Sequence, residues 1–266
     1  MTMITLSWWD VAIAALLVLL LAGLSVWQRL ALHKQILIAG VRTVVQLALV
    51  GLILELIFAD ARLLWVVLMA VVMLAVAGYE TMARQTRRLG GGWAYGIGTV
   101  SLFTSSFTVA LFALLVIIGN EPWYQPQYAI PLLGMMLGNT MNGIALSLDR
   151  LMSMAWQQRA VIEQRLMLGQ HWQEAISELR VEAMRAGMIP TINAMAAVGV
   201  VSLPGMMTGQ ILSGTAPIEA VKYQIMIMFM VAAGAGFGTV VALHLGARRL
   251  FDERQRLRLE RLHAVK

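Results

Sequence analysis

Long apolar runs separated by short polar stretches fill most of this chain. A helix crossing roughly 30 Å of hydrocarbon needs about 20 mostly apolar residues at a rise of about 1.5 Å each. Seven segments meet that requirement: 8–28, 36–58, 62–79, 96–118, 128–148, 189–213 and 221–246. Strands of a membrane barrel would be short and would alternate apolar with polar residues. These runs are long and continuous, so the pattern predicts an all-α, polytopic helical membrane protein of about seven transmembrane helices. Residues 1–266 read as a single transmembrane domain with a sizeable loop at 149–188 and a basic tail at 247–266.

The polar stretches set the expected orientation, because Lys and Arg are retained on the cytoplasmic side. Arg29 and Lys34 follow the first span; Arg84, Arg87 and Arg88 follow the third; Arg150, Arg159, Arg165, Arg180 and Arg185 follow the fifth. The tail carries Arg248, Arg249, Arg254, Arg256, Arg258, Arg261 and Lys266. The alternate loops hold little beyond Asp60 with Arg62, Glu121, and Glu219 with Lys222. The N-terminus is therefore expected outside and the C-terminus in the cytoplasm. Met1–Asp10 carries no Lys or Arg, unlike the basic start of a cleavable signal, so the first span reads as a retained helix.

Composition removes the main alternatives. The chain is 59% hydrophobic and 13% charged, against about a quarter charged in soluble domains, so a water-soluble fold would expose large apolar patches. The net charge of +6 is spread between apolar runs and not gathered on one soluble face, which argues against nucleic acid. There is no cysteine, hence no thiolate metal site or cysteine nucleophile. No G-x-x-x-x-G-K-[ST] phosphate loop occurs; Gly90-Gly91-Gly92 leads into Trp93 and reads as a loop hinge. Zincin and nucleophile-elbow motifs are also missing. The chain is thus expected to be no enzyme and to bind no cofactor itself; any ATP would be used by a partner.

Polar groups inside spans cost about 2.5–3.5 kcal/mol each when charged, which makes them functional candidates. Arg42 and Gln46 share a face of the second span, and Glu55 lies near its outer end. Arg42 is also within about 9 Å of the cytoplasmic boundary, where snorkelling would serve equally well. In the fifth span, Gly134 and Gly138 form a small-residue face, while Asn139 and Asn142 offer amides for interhelical bonds or for a translocation route. The sixth span begins at Pro190 with Asn193 nearby, and Pro204, Gly205, Met206, Met207 and Gln210 interrupt its far end. A broken helix frees backbone carbonyls, which hydrocarbon tolerates only against protein or a wet cavity; a simple packing kink is the other reading. Of the 19 methionines, Met135, Met136, Met141, Met206 and Met207 lie nearest these polar positions. His33, His171, His244 and His263 are too scattered for a metal motif.

Two cytoplasmic elements complete the reading. Between Glu174 and Arg185, Ile176, Leu179 and Ala183 fall at helical spacing while Glu174, Glu178, Glu182 and Arg185 stay polar, the pattern of a surface or partner-facing helix. The leucine-punctuated basic tail from Arg248 is expected to form a helix against anionic membrane lipid.

Three stretches carry a family resemblance: Ala39-Gly-Val-Arg-Thr-Val-Val-Gln-Leu47, Leu133-Gly-Met-Met-Leu-Gly-Asn-Thr-Met-Asn142 and Leu203-Pro-Gly-Met-Met-Thr-Gly-Gln-Ile-Leu212. The chain resembles the FetB-type permeases of bacterial ABC transporters, an uncharacterised-protein family associated with iron export. That resemblance implies a multi-pass protein of the bacterial inner membrane, a homodimer of permeases, and a separate ATP-binding cassette subunit of the FetA type. It implies export of iron or a related metal; another solute, or a membrane scaffold or sensor that moves nothing, stays open. It also implies that 149–188 couples to the ATPase. Glu163, followed by Gly169, partly echoes the E-A-A-x-x-x-G element of importer permeases, and the expected coupling residues are Glu163, Leu168, Gly169 and Glu174.

Overall fold

The computed structural model describes residues 7–264, and residues 1–6 and 265–266 lie outside them. Helices account for nearly all of the ordered backbone. α1 (Trp8–Trp27) and α2 (His33–Ala59) form a hairpin. They are followed by α3 (Leu63–Ala83), α4 (Trp93–Ile118), α5 (Pro126–Gln157), α6 (Arg159–Met167), α7 (Ser177–Ala197), α8 (Gly205–Leu212) and α9 (Pro217–Leu250). Among the described residues six of these, α1 to α5 and α9, are long and apolar enough to cross a membrane.

The chain divides into two compact units, the first made of residues up to Arg62 with Leu212–Gly214, the second of the remainder. In the first unit, Ser7 caps α1: its hydroxyl accepts from the Asp10 backbone N–H, while the Asp10 carboxylate accepts from the Ser7 N–H at 2.8 Å. Both helices are apolar nearly all round and exposed along most of their length, as lipid-solvated helices are.

In the second unit α5 is central, packing against α3, α4, α7 and α9. Its buried stripe includes Met136, Ile144, Leu148, Leu151 and Met152. Close crossings depend on small residues. A Cβ on Gly187 would collide with Ser147 Oγ and stand 2.6 Å from the Gly143 carbonyl oxygen, so α7 can reach α5 there only as glycine. Of the two glycines expected to form a packing face, Gly138 faces open space and Gly134 meets Met73 of α3, so the α5–α7 crossing rests instead on Gly143 and Gly187.

Three expectations need correction. The run 189–213 is not one helix: α7 starts well before it, at Ser177, carries Pro190 inside, and stops at Ala197. Val198 turns extended (ψ 135°), Gly199 takes a positive φ of 83°, and its N–H donates to the Ser202 carbonyl at 2.9 Å. The break thus centres on Gly199 and not on Pro204, which stands just before α8, where a missing N–H costs nothing. Second, the helical stripe between Glu174 and Arg185 is not a separate surface helix but the start of α7 and the turn before it, with Ile176, Leu179 and Ala183 buried within this chain.

Third, the tail is not a surface helix. α9 ends at Leu250, Phe251 bridges back to Leu257, and β2 (Leu262–Ala264) pairs antiparallel with β1 (Arg87–Leu89). Asp252 holds this hairpin, accepting from the Arg254 and Arg256 N–H groups at 3.0 and 2.9 Å and from the Arg258 guanidinium at 3.0 Å. The backbone N–H of Arg256 above all, helped by its guanidinium and that of Arg258 and opposed by desolvation, lowers the Asp252 carboxyl to about 2. Six of the tail's seven basic residues lie within the described chain, and several are spent on this fold and not on headgroups. Arg261, for example, donates to the carbonyl of Arg249 at 2.8 Å. Phe251 stacks on Trp172 at 5.5 Å, and Gln255 accepts from the Trp172 N–H at 3.2 Å, so the tail clasps the loop 149–188.

Candidate translocation cavity

The helix break does more than bend the chain. Val198, Ser202, Pro204, Gly205 and Met206 form one wall of a cavity of about 390 Å³. The other walls are Met135, Asn139, Asn142 and Gly143 of α5, Gly187 to Ala194 of α7, and Gln224 to Val231 of α9. Along the chain, α5 stops contributing at Gly143, α7 begins at Gly187, and α9 stops at Val231. The Gly143–Gly187 crossing is therefore the floor, and the cavity extends from it toward the end where α5 and α9 begin.

Its polar groups are neutral. Asn139 is anchored by its own Nδ2, which donates to the Met135 carbonyl at 2.8 Å, leaving the amide oxygen as the free end. Asn142 is engaged differently: its Oδ1 accepts from the guanidinium of Arg84, just past the end of α3. That places a cation beside the cavity, so Asn142 does not offer its oxygen to a second cation. Thr191, Ser202 and the nearly buried Gln224 (6% exposed) add further donors and acceptors, and Met135, Met206 and Met228 add thioethers. No carboxylate or imidazole is among the lining residues, and no cluster of three His, Cys, Asp or Glu occurs among the described residues. Neutral oxygens with soft sulfur suit a weakly held, transient ion or complex better than a resident metal.

Of the residues singled out from sequence, the structure gathers Asn139, Asn142, Pro204, Gly205 and Met206 here. Asn193 is exposed on α7, beside the stripe of Pro190, Thr191 and Ala194. Met207 and Gln210 lie on α8 outside the lining. Arg42, Gln46 and Glu55 are exposed positions of α2 in the first unit, whereas every wall of the cavity belongs to the second. Gln224, Thr191 and Ser202 were missed. Gln224 carried a usable signal, an amide inside the last apolar run.

At the other end of the second unit, α6 leads into a turn whose Met167 and Leu168 are 79% and 83% exposed, with Gly169 at φ 88°. Arg165 bonds back to Glu178 at 2.9 Å, fixing the turn to α7, and Glu163 and Glu174 are exposed beside it.

A family model described as an uncharacterised protein family, UPF0014, matches residues 8–251. The chain belongs to that family. Among UPF0014 relatives, the membrane protein slr1647 of Synechocystis is 39% identical over 96% of this chain and 98% of its own length. The Bacillus subtilis membrane protein YjkA is 32% identical over 94% and 97%. The Escherichia coli protein named "Probable iron export permease protein FetB" is 32% identical over 93% of both chains. No solved structure matches. The helices and the cavity fall inside the UPF0014 match, whereas the tail after Phe251 lies beyond it. Like its UPF0014 relatives, this is a multi-pass membrane protein.

Proposed function

We propose that this protein is the permease subunit of an ABC exporter, moving iron or a related metal out of the cytoplasm across the bacterial inner membrane. A separate ATP-binding cassette subunit hydrolyses the ATP, two copies of the permease make the pathway, and this chain itself is neither an enzyme nor a cofactor carrier. The observation that carries the reading is the cavity at the α7–α8 break, lined by amides, hydroxyls and thioethers, in a chain that aligns end to end with a relative named as an iron export permease. The cation beside Asn142 and the lack of carboxylates fit a site that cargo passes through and leaves. With the orientation expected from the positive-inside pattern, the cavity would lie on the external side of the Gly143–Gly187 crossing and the Met167–Leu168 turn in the cytoplasm, where it would press on the ATPase.

Met135, Met206 and Met228 favour a second reading within transport, a softer metal than iron, since thioethers prefer soft cations. Purification together with an ATP-binding cassette subunit, in mild detergent, tests the partnership. The expected result is a stable complex that Leu168→Asp dissolves; a monomeric permease that ignores the ATPase would overturn the proposal.

A further inference from the structure

A second cavity of the second unit, about 1420 Å³, shares no lining residue with the first and lies between the first turns of α4, the last turns of α9 and the tail hairpin. Its two halves differ in chemistry. Ile97 and Val100 of α4 and Leu245 of α9 form an apolar strip, with Val100 about half exposed. Beside it stand Arg248, Arg249, Arg254, Arg256 and Arg261, against only two carboxylates, Asp252 and Glu253.

Several of these charges are already occupied. Arg256 pairs with Asp252 at 2.8 Å, Arg261 caps the carbonyl of Arg249, and the Arg249 guanidinium lies 4.2 Å over the Trp93 ring. The side chains of Arg248 and Arg254 make no ion pair or hydrogen bond among the described residues, and neither does His244, one turn before Arg248 on the same exposed face of α9. The opposite face of that helix, Leu243, Ala247 and Leu250, is buried in the bundle. Unpaired cations are thus held at the mouth of an apolar groove that runs into the membrane span, with a tryptophan at the junction where such rings favour the interface.

We propose that this cleft binds an anionic phospholipid, its phosphate between Arg248 and Arg254 and its upper acyl chain along Val100, Ile97 and Leu245. Basic pockets between transmembrane helices recognise anionic headgroups in this way. A soluble phosphate would use the arginines but not the strip, and an acidic partner protein would need the strip covered. Because the tail supplies Arg254 and closes the cleft, the site depends on a segment outside the UPF0014 match. It does not depend on what the protein transports.

Native mass spectrometry of the full-length chain, offered phosphatidylglycerol and phosphatidylcholine in equal amounts, tests this. The wild type is expected to retain phosphatidylglycerol about tenfold over phosphatidylcholine. Arg248→Gln with Arg254→Gln should abolish that preference, and Arg159→Gln with Arg185→Gln, outside the cleft, should keep it. Both altered pairs are exposed, so the fold is retained. Equal retention of the two lipids, a preference surviving in the Arg248/Arg254 pair, or displacement of phosphatidylglycerol by millimolar inorganic phosphate would each overturn the proposal, the last by identifying a soluble-anion site.

Discussion

Gly187 of α7 meets Gly143 of α5 backbone to backbone, with room for no side chain between them. A larger residue at Gly187 must therefore push the two helices apart at the cavity floor. Gly187→Val is expected to destabilise the protein by about 1–3 kcal/mol, the usual cost of overpacking, read as a lowered thermal midpoint in detergent. Gly138→Ala, which meets nothing within 4 Å, should leave the midpoint unchanged or raise it slightly.

Arg84 and Asn142 act as one unit in this account. Removing either releases the other, so Arg84→Gln, Asn142→Ala and the double variant should lower metal flux to a similar extent. Near-zero additional loss in the double variant is the expected signature of coupling. Full additivity would mean that each acts alone. Asn139→Ala, whose amide oxygen faces the cavity, should reduce flux more than it reduces the amount of folded protein.

How much of this was legible beforehand differs by element. The apolar runs announced α1 to α5 and α9, because a span's length and composition are set by the bilayer and need no partner. Asn139, Asn142 and Pro204 to Met206 were visible as polar or helix-breaking residues at membrane depth. The break at Gly199 was not, since one glycine in an apolar run carries no mark of its φ. The tail misled for a similar reason: leucines among arginines suit a surface helix, and only the Asp252 contacts and the distant partner strand Arg87–Leu89 dictate a hairpin. Arg84 on Asn142 is a contact across 58 positions that no local pattern encodes.

The Asp252 carboxyl gives the tail a defined pH window. Its folded pKa of about 2 lies below the ordinary aspartate value near 3.9. The carboxylate therefore contributes stability that is complete above about pH 4 and is lost as pH falls through 2. Protease resistance of the tail should be flat from pH 5 to 8 in the wild type. Asp252→Asn should expose Arg254, Arg256 and Arg258 to trypsin throughout that range.

Gly169 holds the α6–α7 turn in the left-handed region at φ 88°. Gly169→Ala should strain that turn by about 1–2 kcal/mol and weaken stimulation of the partner ATPase while leaving the membrane helices folded. Leu168→Asp should abolish stimulation. ATPase activity that responds equally to wild type and both variants would remove this turn from the coupling path.

The most direct test of the central claim is metal movement in sealed vesicles containing this permease and its ATPase, with iron supplied on the ATPase side. ATP-dependent transfer of iron to the opposite compartment is expected, lost in Gly187→Val and in vesicles lacking either subunit. ATP hydrolysis with no transfer of iron or of any softer metal would contradict it.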